Sequence, residues 1–326
     1  MRPNWNWDYY DSKKMAVIST QKLSLEIKSK ASDLDFDMCG IAKVRPLSER
    51  KSVLKEWVDA GMNDIMGYLA REPEKRMDPG LLVPGARSVI VTALNYYSEA
   101  GQKKEGVPVL SRYTYGKDYH DIIIPRLREL FEFIKSKVPD AGGRVYCDSG
   151  PVHEKAWAVE AGLGWQGRNS LLINKGLGSF LFIGVLILNI ELDYDKPFTS
   201  DLCGECRLCI GACPTQAIND NRTIDTRKCI ANLTIDKRGP IPSEIIPKLG
   251  RRIYGCDKCQ EVCPWNTKAR KTRIPEFKLT KEIAEMGSDD WLSLTEEKFN
   301  RLFSGYPIGR KDFKQLMENV RKVMEA

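Results

Sequence analysis

The sequence predicts an α/β (α+β) domain over residues 1–195, then a small cysteine-rich module over 196–268 and a short helical tail over 269–326. Three observations predict it. Apolar β-branched runs alternate with helical patterns up to about residue 195. Four cysteines then fall within eleven residues, Cys203 to Cys213. From about Thr267 onward no cysteine appears and helical periodicity returns. With 42% hydrophobic and 9% aromatic residues in 326, the chain supports a substantial core in more than one domain, which excludes a disordered protein.

Along the first region, Ser24–Ser32 is helical by pattern, Met38–Lys43 is strand-like and Ser48–Ala60 is helical again. REPEKRMDPGLLVPGA (71–86) is a loop punctuated by Pro and Gly, and it leads into the buried strand Ser88–Leu94. Asp121–Val138 has apolar residues three and four apart and forms an amphipathic helix. Val145–Cys147 is a short strand ending on Asp148-Ser149-Gly150-Pro151, a helix start with Asp148 as candidate cap and a stop at Gly162. Phe180–Leu188 gives another buried strand, within an apolar run of eleven residues that is too short for a membrane helix of about 20. Asp289–Phe303 and Lys311–Met324 are the helices of the tail. The N-terminus MRPNWNWDYYDSKK has no apolar core of a secretory signal, so a cytoplasmic protein with reduced or metal-bound cysteines is expected.

The cysteine module reads Cys203-x2-Cys206-x2-Cys209-x3-Cys213-Pro214, then Cys229, then Cys256-x2-Cys259-x3-Cys263-Pro264. Two-cluster ferredoxins use the C-x2-C-x2-C-x3-C-P run, and its fourth cysteine serves the other cluster. Crossing the fourth cysteines gives Cys203, Cys206, Cys209 and Cys263 one [4Fe–4S] cluster. Cys213, Cys256 and Cys259 hold the second, and Cys229 fills the missing position. C-x2-C also serves zinc, but zinc pairs do not carry the x3-C-P continuation twice. Cys39 and Cys147 remain outside as apolar thiols, with a ligand contact open for Cys147 beside Asp148. Gly162-x-Gly164-x2-Gly167 matches a dinucleotide fingerprint in letters only, since a helix rather than a strand precedes it.

Lys and Arg outnumber Asp and Glu by 51 to 44, which permits a polyanionic partner without requiring one. Arg227, Lys228, Lys237, Arg238, Lys248, Arg251, Arg252 and Lys258 face only Asp236, Glu244 and Asp257 within their stretch. Lys268, Arg270, Lys271 and Arg273 extend it, either as a solvated face or as a phosphate-binding one.

YGKDYH (115–120), CDSGPVHEKAWAVEAGLGWQGRNSLLI (147–173), GSF (178–180), CGECRLCIGACPTQAI, KCIANLTI (228–235) and YGCDKCQEVCPWN (254–266) occur in this order. Together they resemble the epoxyqueuosine reductases, cobalamin-dependent enzymes that complete queuosine in tRNA, over roughly residues 20–270. The resemblance implies a base-off cobalamin in the N-terminal domain, fed single electrons through the two clusters. Its substrate would be the epoxide on epoxyqueuosine at the wobble position, in a tRNA anticodon loop. The family's proton donor, the aspartate of its (V/C)-D-(T/S)-G motif, falls on Asp148. The arginine of its E-K-R loop falls on Arg76, and the position before Arg112 on Ser111. Further cofactor contacts fall near Leu172, Ile183, Ala231, Cys256 and Asp257. An external donor such as a flavodoxin or ferredoxin, a monomer and no membrane are also expected.

Asp118-x-His120 begins like a corrinoid-binding D-x-H-x-x-G motif, but Ile123 stands where its glycine belongs. His120 and His153 are the only histidines, which suits a cofactor without a protein axial ligand. Many members of the family continue into a helical-repeat domain, whereas here a short basic helical tail follows the module. Two alternatives remain open at this point: a reductive dehalogenase-like enzyme, and a plain electron-transfer protein.

Overall fold

The apolar runs of the first region pair with one another, each strand finding its neighbours in the same sheet. β1 (Met38–Lys43), β2 (Ser88–Asn95), β3 (Gly143–Tyr146) and β4 (Leu181–Leu188) form a four-stranded sheet in the order β1-β2-β4-β3. Every pairing is antiparallel, with Ser88 opposite Leu188 and Asn95 opposite Leu181, so the α+β form of the expectation is the one adopted. The computed structural model describes residues 18–325; residues 1–14, on which the expectation of no secretory signal rests, lie outside them.

The sheet is covered on both faces, which is why β2 is buried along its whole length. Ile90, Leu94, Phe182 and Leu186 face the helices Thr20–Asp33 and Tyr119–Lys137 through Leu23, Ile27, Leu127 and Leu130. Their neighbours Val89, Val91, Ala93, Val185 and Ile187 face the short helix Glu154–Glu160 through Ala156 and Trp157. This period-two alternation, multiplied over four strands, makes two apolar layers from one sheet.

Three helical expectations shift, among them Asp289–Phe303, which divides into Ser288–Leu292 and Glu296–Phe303. Ser48–Ala60 divides into a 3-10 turn over Ser48–Arg50 and a helix over Lys51–Asp59. The helix expected from Pro151 begins instead at Glu154, with His153 in the cap position. It does stop at Gly162, whose φ of +76° lies in the region open to glycine, and a Cβ there would meet the Lys196 carbonyl oxygen at 2.7 Å.

The module is built of single-turn helices, Leu208–Gly211 and Lys258–Glu261, placed where the two C-x2-C runs lie, plus Ile230–Ile235 after Cys229. The tail helices are Lys281–Ala284, Ser288–Leu292, Glu296–Phe303 and Phe313–Glu325. They share one core with Leu110, Ile230, Leu233, Ile253 and Tyr254, so the division expected at residue 268 does not separate two cores. Among the described residues no helix is long and apolar enough to cross a membrane.

Trp291 is fully buried in that shared core and Leu292 beside it is 46% exposed. Trp291→Ala is therefore expected to cost about 3–5 kcal/mol, and Leu292→Ala under about 0.5 kcal/mol. The apparent Tm of the cluster-loaded protein separates them.

Candidate active site

The C-terminal ends of β2 and β3 and the start of β4 meet at one edge of the sheet, and the cysteine module packs across that edge. Between them lies a cleft of about 570 Å³. Its lining includes apolar Leu171, Leu181, Ile183, Ile218, Ile224 and Ile230. It also includes the charged and polar Arg76, Tyr119, Asp148, His153, Glu154, Lys155 and Asn169.

Of the residues singled out in the sequence, Arg76, Ser111, Asp148, Ile183, Ala231, Cys256 and Asp257 all line this cleft. Leu172 does not. It is 3% exposed in the core beside Trp157, and its neighbour Leu171 takes the cleft position. Leu172 belongs to a two-residue strand, where adjacent side chains point to opposite faces.

Asp148 is not a helix cap. The Ser149 N–H donates to the Cys147 carbonyl oxygen at 2.7 Å, and Asp148 at the centre has φ of +57°. This is a γ-turn of the strained hand, rare outside glycine. The turn is bound at both of its free groups. Tyr119 Oη donates to Asp148 Oδ2 at 2.6 Å, and the Asp148 N–H donates to Glu154 Oε1 at 2.6 Å. Tyr119 stacks on Phe182 with centroids 4.3 Å apart and 9° between the planes. Burial, then the Asp148 charge, push the Tyr119 phenol far up, so it stays a donor.

Glu154 is half-buried by surface but enclosed by protein. Burial first, and Asp148 second, push its carboxyl up to about 8. Burial, helped by Arg50, Lys155 and Arg76, brings His153 down to about 4, so it is neutral at pH 7. Sequence reading passed over Tyr119, Glu154, Lys155 and Asn169. The available signal was the acid placed six residues after Asp148 and directly before Lys155 in CDSGPVHEK. Cys147 is fully buried on the far side, in the core with Phe182, and does not line the cleft. His120 also stays away from it, its Nδ1 2.7 Å from Asp118 Oδ1.

The cysteines fall into two groups. Burial is the largest influence on each thiol that shifts, and the second influences show who stands beside whom. Cys209 is pushed further up by Cys203, Cys263 and Cys206, and Cys263 by Cys203 and Cys206. Cys213 acts on Cys229, Cys229 on Cys256, and Cys256 with Cys229 on Cys259, which Cys209 of the first group also reaches more weakly. The Trp165 Nε1–H donates to Cys203 Sγ at 3.4 Å and the Ala217 N–H to Cys213 Sγ at 3.3 Å, contacts that tune a cluster's potential. Only Cys213, Cys229, Cys256 and Cys259 line the cleft. Asp257 joins them to the sheet domain, accepting from Ser111 Oγ and, at 2.7 Å, from the Arg112 N–H. Gly255 permits that closeness: its φ is +78° and a Cβ would lie 2.5 Å from Ser111 Cβ.

The basic stretch is partly neutralised. Arg227 and Lys228 both turn onto Asp225, Lys271 onto Glu99 and Arg273 onto Asp37. Asp225 lies just outside the stretch counted in the sequence. Arg238, Lys248, Arg251, Lys268 and Arg270 are exposed.

Because Glu154 holds its proton more tightly folded than unfolded, it favours the folded state at low pH and loses that contribution as pH rises from about 4.5 through about 8. Glu154→Gln removes the titration. The Tm of the variant relative to the parent protein is expected to rise between pH 6 and pH 9.

Comparison with known proteins follows this geometry. A family model for a 4Fe-4S double cluster binding domain matches residues 202–266, and one for epoxyqueuosine reductase QueG, DUF1730, matches residues 76–149. An epoxyqueuosine reductase of Leadbetterella byssophila is 43% identical over 304 residues, 93% of this chain and 99% of its own. A crystal structure of selenomethionine-labelled epoxyqueuosine reductase superposes with TM-score 0.87 at 28% identity, covering 94% of this chain and 82% of that one. Another, of an epoxyqueuosine reductase with an epoxyqueuosine-modified tRNA-Tyr stem loop, gives TM-score 0.84 at 29% identity over the same shares. With a two-cluster iron–sulfur module beside a cleft that carries the CDSG aspartate, the chain belongs to the epoxyqueuosine reductase family.

Proposed function

We propose that this protein reduces epoxyqueuosine to queuosine at the wobble position of tRNA, the last step of queuosine formation, with Asp148 as proton donor. The observation that carries the reading is the cleft itself, which Asp148 lines together with Cys213, Cys229, Cys256 and Cys259. Overall the reaction consumes two electrons and two protons and releases the epoxide oxygen as water, leaving the cyclopentene.

The cleft residues fit a cobalamin. Asn169 Nδ2 and Arg76 Nε are buried donors without a partner, and both residues line the cleft. Buried donors of this kind call for acceptors, and the amide carbonyls around a corrin supply them. Arg76, Ser111, Asn169, Leu171, Ile183, Ala231 and Asp257 would hold the cofactor, with the aliphatic side chains against its ring. Bound there, a base-off cobalamin supplies a strongly reducing cobalt centre, and the two [4Fe–4S] clusters supply single electrons.

The chain's own part is to hold the Asp148 carboxyl in place as the proton donor, with Tyr119 fixing its Oδ2, and to exclude water with the Ile and Leu residues of the cleft. The set Cys203, Cys206, Cys209 and Cys263 lies off the cleft, where a flavodoxin or ferredoxin would deliver electrons. Exposed Arg238, Lys248, Arg251, Lys268 and Arg270 provide phosphate contacts for an anticodon stem loop. In this reading, residues 1–195 form the cobalamin-binding domain, with Ala231 and Asp257 contributed from 196–268, which holds the clusters, in a monomer of the reducing cytoplasm.

The test is an anaerobic assay of cluster-reconstituted protein with cobalamin and an epoxyqueuosine-bearing stem loop. Queuosine is expected to form, and Asp148→Asn to lower kcat on the order of 10²–10⁴-fold. Turnover without cobalamin, or undiminished in Asp148→Asn, contradicts the mechanism. Cys229→Ser is expected to lower bound iron from about eight to about four per chain, measured by iron analysis.

A further inference from the structure

We propose that Glu154 is a positioning residue whose Oε1, by accepting the Asp148 N–H, holds Asp148 in the γ-turn that aims its carboxyl at Tyr119 and the cleft. The inference rests on the reading of Asp148 as proton donor and extends it to a residue that reading does not use.

A non-glycine residue at φ of +57° persists only when its surroundings fix it. Three constraints do so here. The Ser149 N–H closes the turn on the Cys147 carbonyl oxygen, and Cys147 is itself fully buried. Gly150 packs against the Tyr146 ring so closely that a Cβ would lie 2.2 Å from Tyr146 Cδ1. The third is the 2.6 Å bond from the Asp148 N–H to Glu154 Oε1. Of the three, this one ties the turn to the helix that follows it.

That element is rigid. Glu154 opens a helix whose next turns, Ala156, Trp157 and Ala158, are buried in the layer beneath β2 and β4. The carboxyl is thus a fixed acceptor to which the turn is tied. Enclosing an acid beside a second carboxyl is costly, and a side chain that merely filled space would need no oxygen to accept the Asp148 N–H. Burial keeps Glu154 largely protonated near neutrality, the form whose shape and carbonyl oxygen glutamine copies.

The test uses the cluster-reconstituted, cobalamin-loaded protein and the epoxyqueuosine stem loop. Glu154→Ala is expected to lower kcat on the order of 10- to 100-fold, the scale of a misplaced catalytic group, with KM within about 2-fold. Glu154→Gln, which keeps the acceptor, is expected to recover most of the loss. Glu154→Asp, which withdraws the oxygen by one methylene, is expected to resemble Ala. Should Ala fail to fold, the Gln and Asp variants decide between them. Hydrogen exchange at the Asp148 amide reads the bond without turnover: slow in the parent and Gln proteins, about 10-fold faster or more in Ala and Asp.

A parent protein that turns over nothing yet shows this exchange pattern leaves the positioning role standing and overturns the Asp148 reading. Equal exchange in all four proteins, Ala with parental kcat, or Gln as impaired as Ala, overturns the positioning role.

Discussion

The seam between the cysteine module and the antiparallel sheet is held by buried hydrogen bonds, and the cleft exists because that seam is closed. Asp257 accepts from Ser111 and from the Arg112 N–H. Further along, the Ser179 N–H donates to Asn266 Oδ1 at 2.8 Å, and Ser179 Oγ meets both Gln260 Oε1 and Asn266 Nδ2. These groups are buried, so each bond lost would leave a desolvated partner exposed to the full penalty. The module is therefore set in a fixed place. Its cysteines 213, 229, 256 and 259 are presented to the sheet edge from which Asp148 projects.

The cluster chemistry was legible from spacing alone, because C-x2-C-x2-C-x3-C-P is a local pattern whose geometry the chain itself dictates. Three β strands were legible for the same reason: Met38–Lys43 occupies its expected residues, and β2 and β4 differ by one residue at an end, whereas β3 runs over Gly143–Tyr146 rather than Val145–Cys147. The family resemblance supplied Asp148, Arg76 and Ser111, which no periodicity marks.

What sequence reading missed is long-range. Asp148 was weighed as a helix cap because Asp-Ser-Gly-Pro is a local helix start, but a bond to Glu154 and a bond from Tyr119, 29 residues upstream, override that preference. Leu172 was displaced by a single position because strand alternation has period two. Arg227 and Lys228 looked unopposed until folding turned them onto Asp225. The tail looked like a separate extension because nothing in its own residues shows that Trp291, Phe303 and Leu316 pack against Leu233 and Ile253.

His153 lines the cleft and is neutral at pH 7, so its imidazole is chemically able to bind a metal. In the proposed reading the cleft would instead hold a base-off cobalamin, with Arg76, Ser111 and Asn169 among the residues that would bind it and Asp148 as the proton donor. The most direct measurement is the electron paramagnetic resonance spectrum of cobalt(II) cobalamin bound to the anaerobic, cluster-reconstituted protein. A base-off spectrum without nitrogen splitting, perturbed by Asp148→Asn, is the expected result. Nitrogen splitting that disappears in His153→Ala, or a spectrum identical to free cobalamin, would contradict the account.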